Sequence, residues 1–475
     1  MAVNGIIGTA QGGQYVGMGS DLFNSDNSII KRVAQALYER ADKFFGYKIS
    51  DISFNGPRED LDRTLNTQRA VYTHSEVCLA VLRELYVQRF GDEFDYHASI
   101  GASLGEIFSL RAGGAMDLEG GLRLVEARSR VMEDVISSDN PSRQLVIRMY
   151  VPNIEALCSK HNVEVSNYNA HNQVVVGGSP DGVSALRTEL LEIYKDTPRA
   201  ESYFLDIGTA AAFHTRSMTP ARMAFAQELE KFDFDGLSMP VISNHSGNSY
   251  SGKGTDIKYR LARQVDSPVL FGEGLQVMIS RLLDMAYGQS VALFEFGGGK
   301  PTPAGEDPKS PEKQRGLLGG MVREAIKDMG LTPNKEVRPY DCVSERSILD
   351  TLAKLEKVRL AEENYHLGAP EFGEMKFILH VPQGYNPRAG TVPIGYDPET
   401  QRIIQRIQQG RNEDKILIRQ LATTDTKTVH QLGDILGEDV RLPVLEMHIL
   451  GDTPSILGAI GSEAILKRLT DSNLI

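Results

Sequence analysis

Apolar positions along the chain first gather at residues 3–10, Val-Asn-Gly-Ile-Ile-Gly-Thr-Ala, and stop at Gln11-Gly12-Gly13-Gln14. A short apolar run closed by glycines predicts a buried strand and a tight turn. Helical spacing follows over 27–45 and 66–90. Tyr96–Ile100 then predicts a strand and Leu104–Leu110 a helix, with Gly101-Ala102-Ser103-Leu104-Gly105-Glu106 between them. Asp117 is a suitable N-cap for a further helix running to about 136.

From residue 143 the rhythm shortens. Strands are predicted at Gln144–Tyr150, Val163–Asn169, Gln173–Gly178 and Ser202–Ile207, with helices at Ile154–His161 and Asp181–Lys195. That β-α-β-β-α-β order is the split ferredoxin-like pattern. It reads as an insertion, residues 141–206, in a larger α/β layer made of 1–140 and 207–330. The layer resumes with strands at Pro240–Asn244 and Ser290–Phe296 and helices at Ile257–Gln264, Gly274–Met285 and Arg315–Met329. Residues 301–314, rich in Pro, Asp, Glu and Lys, predict a solvated loop. Residues 331–475 read as a separate small α/β unit. Its predicted strands are Lys376–Val381, Lys415–Arg419 and Val444–Ile449, and its helices Glu399–Gln408, Thr428–Leu436 and Ser455–Leu469.

Composition narrows the class. Of 475 residues, 41% are hydrophobic and 24% charged, enough for several cores. No apolar run nears the ~18 residues of a membrane span, and Met1–Gly5 lacks the basic start of a signal peptide. Three scattered cysteines, Cys78, Cys158 and Cys342, suit reduced thiols rather than disulfides or zinc ligands. A cytoplasmic protein without a metal is therefore expected. A net charge of −12 argues against a nucleic-acid binder and means that any anionic substrate must be met by local arginines.

The candidate chemistry centres on Gly101–Glu106. A G-x-S-x-G sequence between strand and helix is the pattern of a nucleophile elbow, which holds Ser103 out at the end of a sheet. The N–H of Leu104 and the helix N-terminus would then face an oxyanion. Serine needs a base. His214, approached through Thr209-Ala210-Ala211-Ala212-Phe213, is the best placed histidine. Arg128 lies on the apolar stripe of Leu124, Val131, Met132 and Val135. An inward arginine is either half of a buried salt bridge or a clamp for a substrate carboxylate. The Gln11–Gln14 turn lacks the Gly-Lys-Ser/Thr of a phosphate loop and is either a plain turn or a second oxyanion-hole loop.

In order along the chain these features resemble the malonyl-CoA:acyl carrier protein transacylase family and the related acyltransferase domains of polyketide synthases. The matching segments are Ala10–Gly19, Thr67-Gln68-Arg69-Ala70, Gly101–Glu106, Val125–Arg128, Asn167–Asn169 with Gln173–Gly177, Phe213-His214, Arg263-Gln264 and Phe296–Lys300. The resemblance covers roughly residues 3–330. It implies an α/β-hydrolase-like parallel-sheet subdomain carrying the ferredoxin-like insertion. It also implies a ping-pong reaction in fatty acid or polyketide synthesis, with Ser103 as nucleophile, His214 as base and the N–H groups of Gln11 and Leu104 as oxyanion hole. Gln264 would orient the histidine through its main-chain carbonyl, and Arg128 would bind a malonyl carboxylate. Phe213 and Leu104 resemble the malonyl-selecting versions. Acyl-CoA is the implied donor substrate, the phosphopantetheine thiol of an acyl carrier protein is the acceptor, and no bound cofactor is needed. The chain departs from the pattern at Ala102, where the family carries a histidine, at Gly8-Thr9-Ala10, and in the 301–314 loop. The competing readings are a serine thioesterase or acyl hydrolase, and a non-catalytic scaffold. Residues 331–475 would then meet synthase partners.

Overall fold

The structure is a computed structural model that describes residues 3–136, 141–207, 211–286, 290–299, 315–334, 336–367, 376–382, 415–421, 426–431, 444–450 and 453–455. The chain separates into two units, Met1–Ala353 and Lys354–Ile475. Residues 331–353, placed by sequence with the C-terminal unit, therefore belong to the first.

In chain order the strands of the first unit are β1 (Val3–Gly8), β2 (Ala98–Gly101), β3 (Arg143–Ile147), β4 (Val163–Ala170), β5 (Gln173–Gly178), β6 (Phe204–Ile207), β7 (Val241–Ile242), β8 (Val291–Phe296) and β9 (Val337–Cys342). Five of them form one sheet in the order β7-β2-β1-β8-β9, with every pair parallel. β1, β2 and β8 are buried along their whole length, as strands covered by helices on both faces must be. On one face, Leu275, Met278, Ile279 and Leu282 of the Phe271–Ala286 helix close over Ile7, Ile100, Val291 and Leu293 in a continuous apolar core.

β9 is a strand that the hydrophobic pattern does not predict. Val337-Arg-Pro-Tyr-Asp-Cys342 has Pro339 in its middle, and proline is confined to sheet edges because it cannot donate to the ladder. β9 is that edge.

The remaining four strands form a separate antiparallel sheet, β4-β5-β3-β6. Helices Ile154–Lys160 and Pro180–Ile193 follow β3 and β5, and Leu186 and Leu190 pack with Leu145, Ile147 and Val176 in a second core. Along the chain these elements follow one another in the order β-α-β-β-α-β.

In the second unit, strands β10 (Lys376–Pro382), β11 (Lys415–Leu421), β12 (Thr426–Gln431), β13 (Val444–Leu450) and β14 (Thr453–Ser455) form a sheet in the order β12-β11-β10-β13-β14. The helix expected at Thr428–Leu436 begins instead in a strand. β12 carries β-branched Thr426, Thr428 and Val429 and pairs antiparallel with β11. Ser455, expected to open a helix, ends β14. The helix expected at Glu399–Gln408 lies outside the described residues, as do residues 456–475 and the 301–314 loop. Among the described residues no helix is long and apolar enough to cross a membrane.

Candidate active site

The site forms where β1 and β2 end. Their register pairs Gly8 with Gly101, so Gln11 and Leu104 each follow a paired glycine by three residues at the same end of the sheet. Past Gly101 the chain turns sharply into the Gly105–Ala112 helix, leaving Ser103 at φ 50. A non-glycine residue in that region stores roughly 1–3 kcal/mol of strain. The two glycines of the motif permit the turn. A Cβ on Gly101 would lie 1.9 Å from the carbonyl carbon of Gly105, and one on Gly105 would lie 2.1 Å from the carbonyl oxygen of Gly8.

Asn244 holds the strained turn. Its Oδ1 accepts from the Ser103 N–H at 2.6 Å, and its Nδ2 donates to the Gly101 carbonyl at 2.7 Å. The N–H groups of Gly105 and Glu106 turn back to the carbonyls of Ala102 and Ser103. Among the described residues this leaves the Leu104 N–H, and likewise that of Gln11, with no acceptor.

His214 meets the serine across 111 residues, with Nε2 2.7 Å from Oγ. Its Nδ1 donates to the main-chain carbonyl of Gln264 at 2.7 Å. That bond keeps the proton on Nδ1 and turns the Nε2 lone pair to the serine. Burial lowers the imidazole to about 4; the charge of Arg128 pushes the same way, and the Gln264 carbonyl opposes both. The inserted subdomain sets the histidine loop. Gln144 of β3 donates from Nε2 to the Phe213 carbonyl at 3.0 Å, and Ser142 accepts from the Ala212 N–H at 2.8 Å. Phe213 itself is buried. His214, like Ser103, has a positive φ, 62°.

Arg128 is 1% exposed, yet no carboxylate lies within salt-bridge distance of it among the described residues. Nη1 donates to Oε1 of Gln68 at 2.6 Å. Nη2 donates to Oε1 of Gln264 at 2.9 Å and to Ser103 Oγ at 3.0 Å. Nε has no acceptor among the described residues. Burial lowers the guanidinium to about 10, with Glu106 opposing, so it stays charged at neutral pH. Of the two readings of Arg128 left open by sequence, the buried salt bridge is absent.

The sequence-predicted Ser103, His214, Arg128, Gln264 and Leu104 meet at this point, and Gln11 lies in the turn three residues past the end of the adjacent strand β1. Gln68, Asn244 and Glu106 support them and were not assigned roles from sequence. Gln68 and Glu106 do stand inside segments singled out there; Asn244 carried no signal, being 141 residues from the serine it holds. Ala102 is buried in the apolar core with Ile100, Ile242 and Phe271 and adds no polar group. No group of three or more His, Cys, Asp or Glu that could hold a metal occurs among the described residues.

Residues 7–290 match the acyl transferase domain family. The chain is 30% identical over 271 residues to the polyketide biosynthesis malonyl CoA-acyl carrier protein transacylase BaeC of Bacillus velezensis, spanning 57% of this chain and 86% of that protein. It is 28% identical over 296 residues to the malonyl CoA-acyl carrier protein transacylase of Bacillus subtilis, 61% of this chain and 85% of that one. The solved malonyl CoA-acyl carrier protein transacylase of Clostridium perfringens superposes with a TM-score of 0.59 at 26% identity, covering 76% of this chain and all of that one. A malonyl-transacylase solved in complex with a type II polyketide synthase acyl-carrier protein shares the fold, with a TM-score of 0.59 at 21% identity over 74% of this chain.

Proposed function

The chain belongs to the acyl transferase domain family, and from that premise we propose that it moves a malonyl group from CoA to the phosphopantetheine thiol of an acyl carrier protein through an ester on Ser103. The observation that carries this reading is Arg128: a buried cation with no carboxylate at salt-bridge distance among the described residues, 3.0 Å from the nucleophile. A buried charge is costly unless an anion completes it. A malonyl group brings that anion at a fixed distance from the carbonyl under attack.

In the first half-reaction Nε2 of His214 takes the Ser103 proton as Oγ bonds to the thioester carbon. The N–H groups of Gln11 and Leu104 receive the oxyanion. As the C–S bond breaks, the CoA sulfur leaves with the proton from Nε2. In the second half the carrier thiol gives its proton to Nε2 and attacks the ester. Ser103 Oγ then departs and recovers the proton. One base and one oxyanion hole serve both directions. Arg128 binds the carboxylate, with Gln68 and Gln264 fixing its guanidinium plane, and Phe213 lines the acyl side.

Initial rates measured against malonyl-CoA and holo-carrier protein test the reading. Parallel double-reciprocal lines and malonyl-carrier product are expected. Intersecting lines would contradict the acyl-enzyme route, and free malonate in place of malonyl-carrier would make the protein a hydrolase.

A further inference from the structure

Glu106 makes no contact with the proposed reacting atoms, but its fully buried carboxylate meets donors at both oxygens. Oε1 accepts from the main-chain N–H of Asn244 at 3.1 Å and from the Tyr250 hydroxyl at 2.5 Å. Oε2 accepts from Nε2 of Gln264 at 2.6 Å. The Asn244 N–H and the Gln264 amide nitrogen can only donate, so a side chain of this length must accept at both ends. A carboxylate does; an amide would bring a second donor to one end.

Gln264 carries the consequence to the site. Its Nε2 faces Glu106 and also donates to the Ser103 carbonyl at 2.7 Å, which turns its Oε1 onto Nη2 of Arg128 at 2.9 Å. Reversing that amide would set NH2 against a guanidinium that has only donors. Buried groups left in that state lose the full cost of their desolvation.

We infer that Glu106 is a positioning residue for the carboxylate clamp: by accepting from Nε2 of Gln264 it keeps that residue's amide oxygen on Arg128, and through Arg128 it favours acyl groups ending in a carboxylate. The inference rests on the malonyl-transfer reading above. Its charge also helps hold Arg128 protonated in a buried setting. Burial raises the carboxyl to about 7, while hydrogen bonds from Tyr250, Gln264, Asn244 and Ser243 hold it down.

Glu106→Gln tests it with almost no change of shape. The main-chain N–H of Asn244 is fixed, so it claims the one remaining oxygen. The new NH2 then faces Nε2 of Gln264 and displaces that amide. Wild type and variant are each given equal malonyl-CoA and acetyl-CoA, and the two acyl-enzymes are counted by intact-mass spectrometry. The malonyl-to-acetyl ratio is expected to fall about tenfold or more in the variant, the size of one lost hydrogen bond to a charged group. An unchanged ratio overturns the inference, even where both acyl groups load more slowly by one common factor. Glu106→Asp, which keeps two acceptor oxygens, should retain more of the ratio than Glu106→Gln; the reverse order also overturns it. Should Glu106→Gln not fold, Gln264→Met removes the same link and must lower the ratio likewise, and an unchanged ratio there overturns the inference as well. A wild-type chain that takes no malonyl group is a different result: it defeats the reading of function before Glu106 is tested.

Discussion

Nδ1 of His214 lies 2.7 Å from the main-chain carbonyl oxygen of Gln264, so the candidate base is oriented by a peptide group rather than by a carboxylate. A neutral acceptor fixes the tautomer without burying another charge beside Arg128. It is also beyond the reach of side-chain substitution. Among side-chain changes, removal of the ring itself is therefore the decisive one. His214→Ala should slow acyl-serine formation by about 10³-fold or more, measured by rapid quench with malonyl-CoA, with the folded state retained by circular dichroism.

The depressed imidazole predicts an unusual pH profile. His214 stays neutral until pH nears 4, so the acid limb of kcat/KM for the free enzyme should lie well below the ordinary histidine value of about 6.5. The sign for stability follows from linkage. Between about 6.5 and 4 only the unfolded chain binds this proton, so the contribution of His214 to stability is lost as pH falls through that window. Because the charge of Arg128 adds to the depression, Arg128→Ala assayed with acetyl-CoA should move the acid limb upward. A limb that stays in place would contradict the coupling of the two residues.

Arg128→Ala should cut malonyl loading by about 10²-fold, matching the several kcal/mol of a buried charge pair left incomplete. Acetyl or longer acyl groups should load as well as before or better. Arg128→Lys should fall between, since an ammonium cannot span Gln68 and Gln264 as the guanidinium does. Unchanged malonyl selectivity in the alanine variant would remove the clamp.

The elbow predicts a stability effect separate from chemistry. Gly105→Ala drives a Cβ to 2.1 Å from the Gly8 carbonyl oxygen, a methyl group against backbone that cannot swing aside, and should cost about 3 kcal/mol or more. Gly46→Ala is the control. Unlike Gly105, that glycine has a positive φ, 76°, and nothing lies within 4 Å of an added Cβ, so only the intrinsic cost of about 1–2 kcal/mol applies. Thermal unfolding of the two variants separates crowding from backbone strain.

What sequence could show follows the range of the forces involved. β1, β2 and the Leu118–Glu133 helix with its Asp117 cap are set by local periodicity and local hydrogen bonds, and each was legible. The inward position of Arg128 came from helical spacing alone. Its neutral partners, Gln68 and Gln264, lie 60 and 136 residues away in the chain and could not be paired from sequence. Asn244 shows the same limit: nothing near it in the chain marks an asparagine that holds a turn at Ser103. β9 was hidden by Pro339, a residue that argues against strands except at an edge. The predicted helix Thr428–Leu436 overlaps β12, where Thr426, Thr428 and Val429 favour a strand and pairing with β11 outweighs the helical spacing.

On this mechanism Ser103 carries an acyl group whose free carboxylate is held by Arg128. Intact-mass spectrometry of the protein mixed with malonyl-CoA, followed by addition of holo-carrier protein, tests it most directly. One malonyl ester is expected, mapped to the Ser103 peptide and disappearing as malonyl-carrier accumulates. An unlabelled protein, or an ester mapped to a residue other than Ser103, would contradict it.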